Sequence, residues 1–179
     1  MDAPPPTPGD DKDWTWVLER PCPECGYDAL AVADEDLAGA LTENARHWQD
    51  VLDRLGERAR ERPEPTVWSP LEYACHVRDV HVVMGGRVWL MLHHDDPEFP
   101  NWDQDATAEE EAYHAQDVAT VRDGLTREAA VVSDLYDTVA GAAWRRSGRR
   151  DNGSTFTVAS LGRYHLHDVV HHLVDVERA

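Results

Sequence analysis

Residues 68–81, WSPLEYACHVRDVH, contain the most complete helix-start signal of the chain. Ser69 can cap the helix, Pro70 suits its first position, and Glu72 completes an S-x-x-E capping box. Apolar residues then recur at helical spacing as far as His93. The segment therefore predicts one long helix with a sharply defined beginning.

Three further helical segments surround this one in the sequence. The first begins near Asp34, and a later one covers residues 107–141 with a break near Gln116–Asp117. The last helix begins near Thr157 or Ser160 and continues close to the end of the chain.

The connections between these segments are predicted to be loops. Residues 94–106 contain two prolines and lack periodicity, and residues 145–154 are rich in glycine and arginine. No stretch has a convincing alternation of apolar and polar residues, so strands are not expected. The prediction is an all-α protein, an antiparallel four-helix bundle.

The amino-terminal part differs from the helical part. Residues 1–13 are rich in proline, aspartate and glycine and are expected to form a disordered leader. Residues 14–179 are expected to form a single domain. Within it, residues 14–33 form an N-terminal arm that packs across the bundle, because their large apolar side chains would otherwise be exposed.

Charge and hydropathy narrow the classes of partner. With 35 acidic and 17 basic residues the formal net charge is −18. Nucleic-acid binding needs clustered lysine and arginine, so this charge argues against a nucleic-acid partner and against an anionic membrane surface. The chain lacks an apolar stretch long enough for a membrane span, and its acidic, proline-rich beginning differs from a signal peptide. A cytoplasmic protein is expected.

The three cysteines do not form a disulfide framework in a chain of this length. Cys22 and Cys25 lie in CPECG, which resembles half of a zinc ribbon, but no second CxxC pair follows. A tight turn with two reduced thiols is favoured over a structural zinc site. Cys75 is expected in the core.

The histidines are concentrated in residues 163–176, RYHLHDVVHHLVDV. His167 and His171 are four residues apart, so they share a helix face and can both reach one ion. His165 and His172 fall on flanking faces, where supporting or solvent-exposed positions are expected. The spacing predicts a metal site, with two hydrogen-bonded surface histidines as the alternative.

A catalytic metal site needs a third protein ligand and leaves a position open for water or substrate. His76, two turns into the capped helix, is the candidate. His47 and His114 are alternative third ligands.

These motifs resemble the DinB/YfiT superfamily of metal-dependent helical-bundle proteins. The resemblance rests on WSPLEYACHVRDVH followed by RYHLHDVVHHL, and extends to WTWVLERPCPECGYDA and FPNWDQDATAEEEAYHAQD, as in an uncharacterised branch. It implies a metal held by a histidine of the second helix and an HxxxH pair of the fourth, which here are His76, His167 and His171. Some mycothiol-using members have glutamate as the first residue of that pair. This chain has histidine there, which separates it from the maleylpyruvate isomerase branch.

The predicted cofactor is one divalent metal ion, Zn²⁺ or Ni²⁺. A bound ion would acidify water or deprotonate a thiol, so it would deliver hydroxide or thiolate. The superfamily implies a thiol S-transferase that adds a low-molecular-weight, mycothiol-like thiol to an electrophilic small molecule. The alternatives are a hydrolase or isomerase that uses metal hydroxide, and a non-catalytic, metal-stabilised stress-response binding module.

Further candidates are residues expected near the mouth of the site. Asp79 and Asp168 can each accept the second N–H of a ligating imidazole. The loop at 94–106 can close over substrate. A homodimer is also considered. The substrate-binding or supporting candidates are Arg78, Asp79, Trp102, Gln104, Tyr164 and Asp168.

Overall fold

A computed structural model of the chain describes residues 4, 5, 7, 9 and 12–178. The α-helices are α1 (Leu37–Leu55), α2 (Pro70–His93), α3 (Gln104–Glu110), α4 (Val118–Asp137) and α5 (Val158–Arg178). The strands are β1 (Glu98–Phe99), β2 (Ser147–Arg150) and β3 (Thr155–Thr157). Short 3-10 turns connect these elements, and two of them, Trp14–Leu18 and Ala29–Ala31, lie in the N-terminal arm.

The four long helices form a bundle whose order differs from the order of the chain. Helix α1 packs against α4 and α5, and α2 packs against the same two helices. The consecutive helices α1 and α2 therefore lie diagonally across the bundle and barely touch. The buried interior is continuous and includes Trp48, Leu71, Leu125 and Leu161. The prediction of an all-α four-helix bundle is confirmed.

The start of α2 follows the predicted capping box. The Glu72 backbone N–H donates to Ser69 Oγ at 3.3 Å, and the Ser69 backbone N–H donates to Glu72 Oε2 at 2.8 Å. Pro70 occupies the first helical position, where its missing N–H costs nothing. The helix ends at His93, as predicted, which fixes where His76 lies along the bundle.

The predicted break in the third helical region is also confirmed. A 3-10 turn at Tyr113–Ala115 separates α3 from α4. Asp117 then caps α4, because its side chain accepts a hydrogen bond from the Thr120 backbone N–H.

The expectation that the chain lacks strands is wrong. Strand β1 pairs with β2 in parallel, and β2 pairs with β3 antiparallel. Strands β1 and β2 lie in the two segments predicted as loops, and β3 lies between the second loop and the last helix. Each strand has only two to four residues, which is too short for an alternating pattern to be recognised. The small sheet packs near the end of α2, where Gly148 lies against Met91 and Phe99.

The arm crosses α5. The Tyr27 hydroxyl donates to the Arg163 carbonyl at 3.0 Å, and the Arg163 side chain donates to the Val32 carbonyl at 3.0 Å. The predicted leader, residues 1–13, lies mostly outside the described residues, so its disorder and the single-domain boundaries stay predictions. No helix in the described part of the chain is long and apolar enough to cross a membrane.

A close approach at Gly162 gives a test of the packing between α5 and its neighbours. A Cβ at Gly162 would lie 2.6 Å from Leu37 Cδ1 and 3.1 Å from Tyr136 Cε1, and both partners are buried. Gly162→Ala should therefore lower the free energy of unfolding by about 1–3 kcal/mol through overpacking. Urea denaturation measures this change. Gly39→Ala is the matched control, since its Cβ meets open space and should stabilise α1. Equal effects of the two substitutions would contradict the packing described here.

Candidate metal centres

Helix α5 carries two pairs of metal-binding side chains, each spaced four residues apart. His167 and His171 form one pair, and Asp168 and His172 form the other. Successive side chains of an α-helix differ in direction by about 100° around the helix axis, so the two pairs point in different directions. The first pair lies under the N-terminal arm, and the second lies beside α2.

The first candidate centre consists of Cys22, Cys25, His167 and His171. One ligand atom from each of these residues lies within 4.8 Å of the other three. Cys22 Sγ is 3.7 Å from His171 Nδ1. The expected tight turn is present, since the Gly26 backbone N–H donates to the Cys22 carbonyl at 2.8 Å and both thiols are free. Its thiols, however, face two imidazoles of α5.

The second candidate centre consists of His76, Asp168 and His172. Asp168 Oδ1 is 3.2 Å from His76 Nε2 and 3.6 Å from His172 Nε2. The imidazole rings of His76 and His172 meet edge to face with their centroids 4.8 Å apart. Both imidazoles therefore approach the same carboxylate oxygen of Asp168, between α2 and α5.

The structure divides the predicted set of His76, His167 and His171 between these two centres. His167 and His171 lie with the cysteines, while His76 lies with Asp168 and His172. The candidate ligand set beside α2 is revised accordingly. His76 was predicted to lie with the His167–His171 pair, but it lies with Asp168 and with His172, which was expected on a flanking face. The alternative third ligands His47 and His114 belong to neither centre among the described residues.

His165 is a further correction. It was expected in a supporting or exposed position on a flanking face, but it is fully buried in the bundle. Its Nε2 lies 2.9 Å from Nδ1 of the equally buried His81. Burial lowers the pKa of His165 to about 4, so both rings are neutral at pH 7 and one donates to the other.

The protonation states of the two centres suit metal binding. Burial lowers the pKa of His76, and it lowers the pKa of His167 to about 4, so both imidazoles are neutral. Burial would raise the pKa of Asp168, but its hydrogen bond with His76 and the surrounding imidazoles together outweigh that effect and hold the pKa well below its ordinary value. Burial raises the pKa of the Cys25 thiol to about 11, so its proton must leave when a cation binds.

One buried nitrogen atom indicates that the first centre fits a cation. His167 Nε2 is buried and has no hydrogen-bond partner among the described residues, whereas His76 directs its Nε2 at Asp168. An unsatisfied buried polar group costs about 1–3 kcal/mol, and a metal ion removes that cost for a neutral imidazole. The donor sets differ: the first centre has four protein ligands, and the second has three.

A cleft of about 1240 Å³ opens above the second centre. Asp168 and His172 line it, as do His167 and His171 of the first centre and the predicted candidates Trp102, Gln104 and Tyr164, whereas His76 is fully buried. The Trp102 ring stacks on His76, with an interplanar angle of 6° and centroids 5.4 Å apart. The long loop thus places an aromatic side chain directly over one candidate ligand.

Arg78 and Asp79 were expected at the mouth of the site, but they are not among the described residues that line the cleft. Arg78 donates to Asp79 Oδ1 at 2.7 Å and to Gln116 Oε1 at 2.7 Å. Tyr113 donates its hydroxyl to Asp79 Oδ2 at 2.5 Å. The two residues connect α2 with the segment between α3 and α4, which is a structural role.

Two arginines that sequence reasoning missed line the wall of the cleft. The Arg87 guanidinium is buried, donates to the Pro100 carbonyl at 2.9 Å and lies over the Phe99 ring. Arg150 lies over Phe156 and Tyr164, and its buried Nε has no hydrogen-bond partner among the described residues. Burial and the nearby Arg150 charge lower the pKa of Arg87 to about 10, which still leaves it charged at pH 7.

These features belong to a known class of helical-bundle proteins. Residues 40–176 match the family model described as the DinB superfamily, so the chain belongs to that superfamily. The fold is similar to that of YfiT from Bacillus subtilis, described as a probable metal-dependent hydrolase with an unusual four-helix bundle topology. That likeness has a TM-score of 0.72 at 17% identity and covers 83% of this chain and 89% of YfiT. No curated protein matches the chain significantly.

Proposed function

We propose that this protein is a metal-dependent enzyme whose reaction takes place in the cleft above His76, Asp168 and His172. One observation carries the proposal: Asp168 and His172 line an open cleft of about 1240 Å³, and the buried His76 contacts both of them. A site with three protein ligands leaves a coordination position for a reactant, as catalytic metal sites do. A divalent ion there would lower the pKa of a thiol or water ligand.

Within this class, we propose transfer of a low-molecular-weight thiol to an electrophilic small molecule. The pair beside α2 begins with an acidic residue, Asp168, and ends with a histidine four residues later. The glutamate of mycothiol-using members corresponds to His167 in this chain and not to Asp168, so the support for thiol transfer is the sequence resemblance itself, whose members include thiol S-transferases.

The wall of the cleft supports an anionic reactant. Arg87 and Arg150 present two positive charges in a partly desolvated site, and arginine binds carboxylates through paired hydrogen bonds. Among low-molecular-weight thiols, glutathione and bacillithiol carry carboxylate groups, whereas mycothiol carries none. Trp102 would shield the reacting atoms from water on the side of His76.

Hydrolysis is the second candidate. It is supported by the fold likeness to YfiT, which is described as a probable metal-dependent hydrolase. In that case water rather than a thiol would be the nucleophile, and the same three residues would hold the ion.

The choice between the candidates can be tested by following thiol consumption. Tag-free protein loaded with Zn²⁺ or Ni²⁺ is mixed with an activated aryl halide or an unsaturated ketone and with mycothiol, bacillithiol or glutathione. We expect metal-dependent loss of one thiol for each electrophile consumed. Ester hydrolysis without thiol consumption would establish the second candidate instead. Metal-free protein with undiminished activity would contradict both.

A further inference from the structure

The N-terminal arm and α5 bring together four side chains that the proposed reaction does not use. We propose that Cys22, Cys25, His167 and His171 bind one structural Zn²⁺ that fastens the arm to α5. The ligand atoms of all four lie within 4.8 Å of one another. The cysteines lie outside residues 40–176, the part that matches the superfamily, so the site is a feature of the arm.

The spacing of the ligands is that of a tetrahedral zinc site. Two cysteines in C-x₂-C and two histidines in H-x₃-H are a set that structural zinc sites use. Zinc–sulfur bonds of about 2.3 Å and zinc–nitrogen bonds of about 2.0 Å separate tetrahedral ligand atoms by about 3.3–3.8 Å. The distance of 3.7 Å between Cys22 Sγ and His171 Nδ1 already lies within this range. Small side-chain rotations bring the rest within bonding distance.

The backbone holds both ligand pairs in place before any ion binds. Gly26 has a φ of +78°, a conformation that favours glycine, and its position closes the turn that follows the two cysteines. The Cys22 backbone N–H donates to the Tyr27 carbonyl at 2.8 Å. On the other side, His167 and His171 are one helical turn apart on α5. The site is therefore largely preorganised.

The surroundings of the imidazole nitrogen atoms of His167 and His171 are suited to a bound cation. His167 Nε2 is buried without a hydrogen-bond partner in the described part of the chain. His171 directs Nδ1 at Cys22, and its Nε2 is 3.6 Å from Glu24 Oε2 and 3.7 Å from Asp175 Oδ2. A histidine that ligates zinc through one nitrogen commonly offers the other N–H to a carboxylate. Two carboxylates lie close to His171 Nε2, just beyond hydrogen-bond distance, on the side away from Cys22.

The surroundings indicate a structural rather than a catalytic ion. Four protein ligands fill the coordination sphere of zinc and leave no position for substrate. The Trp14 ring covers both imidazoles, with centroids 5.5 Å from His167 and 5.0 Å from His171. Tyr27 packs on His167 from the other part of the arm, at 5.6 Å. Zinc binding would convert two thiols to thiolates, release their protons to solvent and add a bond between distant parts of the chain.

Cobalt substitution provides the test, because thiolate ligands give Co²⁺ an intense near-ultraviolet charge-transfer absorption. We expect this absorption in the full chain purified without a tag and loaded with Co²⁺. It should disappear in the double variant Cys22→Ser/Cys25→Ser, which should also hold roughly one Zn²⁺ fewer per chain. Cys75→Ser is the matched control, since this third cysteine is buried in the core outside both centres. Undiminished absorption or zinc content in the double variant would overturn the proposal.

A measurement on the unmodified protein covers the case in which the double variant does not fold. Alkylation of the half-buried Cys25 by iodoacetamide, mapped by mass spectrometry, should be blocked by Zn²⁺ and restored by a chelator. Unchanged alkylation would overturn the proposal. His172→Ala should leave both signals intact, so a failure of the site beside α2 is distinguishable from a failure of the arm site.

Discussion

His172→Ala should remove the metal-dependent activity of the cleft while the bundle and the arm stay intact. His172 is one of three potential ligands around Asp168 Oδ1, and only His76 and Asp168 would remain to hold the ion. Residues that merely support a ligand contribute about 10–100-fold to activity, so loss of a ligand should lower kcat/KM by at least ~100-fold. The thiol-consumption assay and elemental analysis measure the two effects. His172 lines the cleft, so its truncation leaves no closed cavity in the core.

Substitutions at neighbouring histidines determine whether the division into two centres is correct. If His76, His167 and His171 held the catalytic ion together, His167→Ala would abolish activity as thoroughly as His172→Ala. The observed geometry instead predicts that His167→Ala weakens the cobalt–thiolate absorption and leaves the cleft ion bound. His93→Ala serves as a control, because His93 lies at the end of α2 and its Nδ1–H donates to the Trp89 carbonyl of its own helix at 2.8 Å. Equal activity losses at His167 and His172 would contradict the division.

The parts of the fold that sequence predicts well depend on residues near one another in the chain. The capping box joins Ser69 to Glu72 within one turn, and the break before α4 depends on the cap at Asp117. Such local hydrogen bonds form wherever the segment goes, so their patterns can be recognised without the tertiary structure. The order of the helices around the bundle cannot be predicted in this way, because no local sequence pattern indicates that α1 and α2 lie diagonally.

The candidate site was likewise predictable only where it depends on residues that are close together in the sequence. The sequence predicts that two side chains four residues apart on α5 bind an ion, but α5 carries two such pairs. Both of its relevant faces are covered at least in part, since His167 and His171 are buried under the arm and Asp168 and His172 are half-buried beside α2, so amphipathic periodicity alone does not identify one pair as the metal site. The choice of His167 and His171 followed the motif rather than the packing.

The cysteine pair could have been interpreted differently. The chain has no second CxxC pair, which favours a reduced turn for the two thiols. The H-x₃-H pair on α5 can complete such a site, because structural zinc sites are formed by two cysteines and two histidines as well as by four cysteines. Cys22 and His171 are 149 residues apart, and only the path of the arm across α5 brings them together. Counting ligand pairs of either type would have identified the set.

Glu72→Gln is expected to destabilise the bundle more than the other charge substitutions proposed here. Glu72 is buried at the start of α2, where it accepts hydrogen bonds from the Ser69 backbone and hydroxyl and forms an ion pair with Arg62. Glutamine keeps the shape and removes the charge, so Arg62 is left largely buried without its counter-ion. Loss of one partner of such a pair costs ~3 kcal/mol, and urea denaturation at pH 7 measures it. Glu57→Gln is the matched control: its ion pair with Arg60 is largely exposed on the Glu57 side and contributes little.

The dependence of this effect on pH follows from the direction of the Glu72 pKa shift. Burial alone would raise the pKa, but the hydrogen bonds from Arg62 and Ser69 outweigh burial and hold the pKa below its ordinary value of 4.5. A carboxylate with a lowered folded-state pKa stabilises the fold fully above its unfolded-state pKa and loses that contribution as the pH falls through the folded value. The difference in unfolding free energy between the unmodified protein and Glu72→Gln should therefore be constant near neutrality and narrow below pH 4.5. A difference that stays constant down to pH 3, or that is as small at pH 7 as for Glu57→Gln, would show that the charge of Glu72 does not stabilise the start of α2.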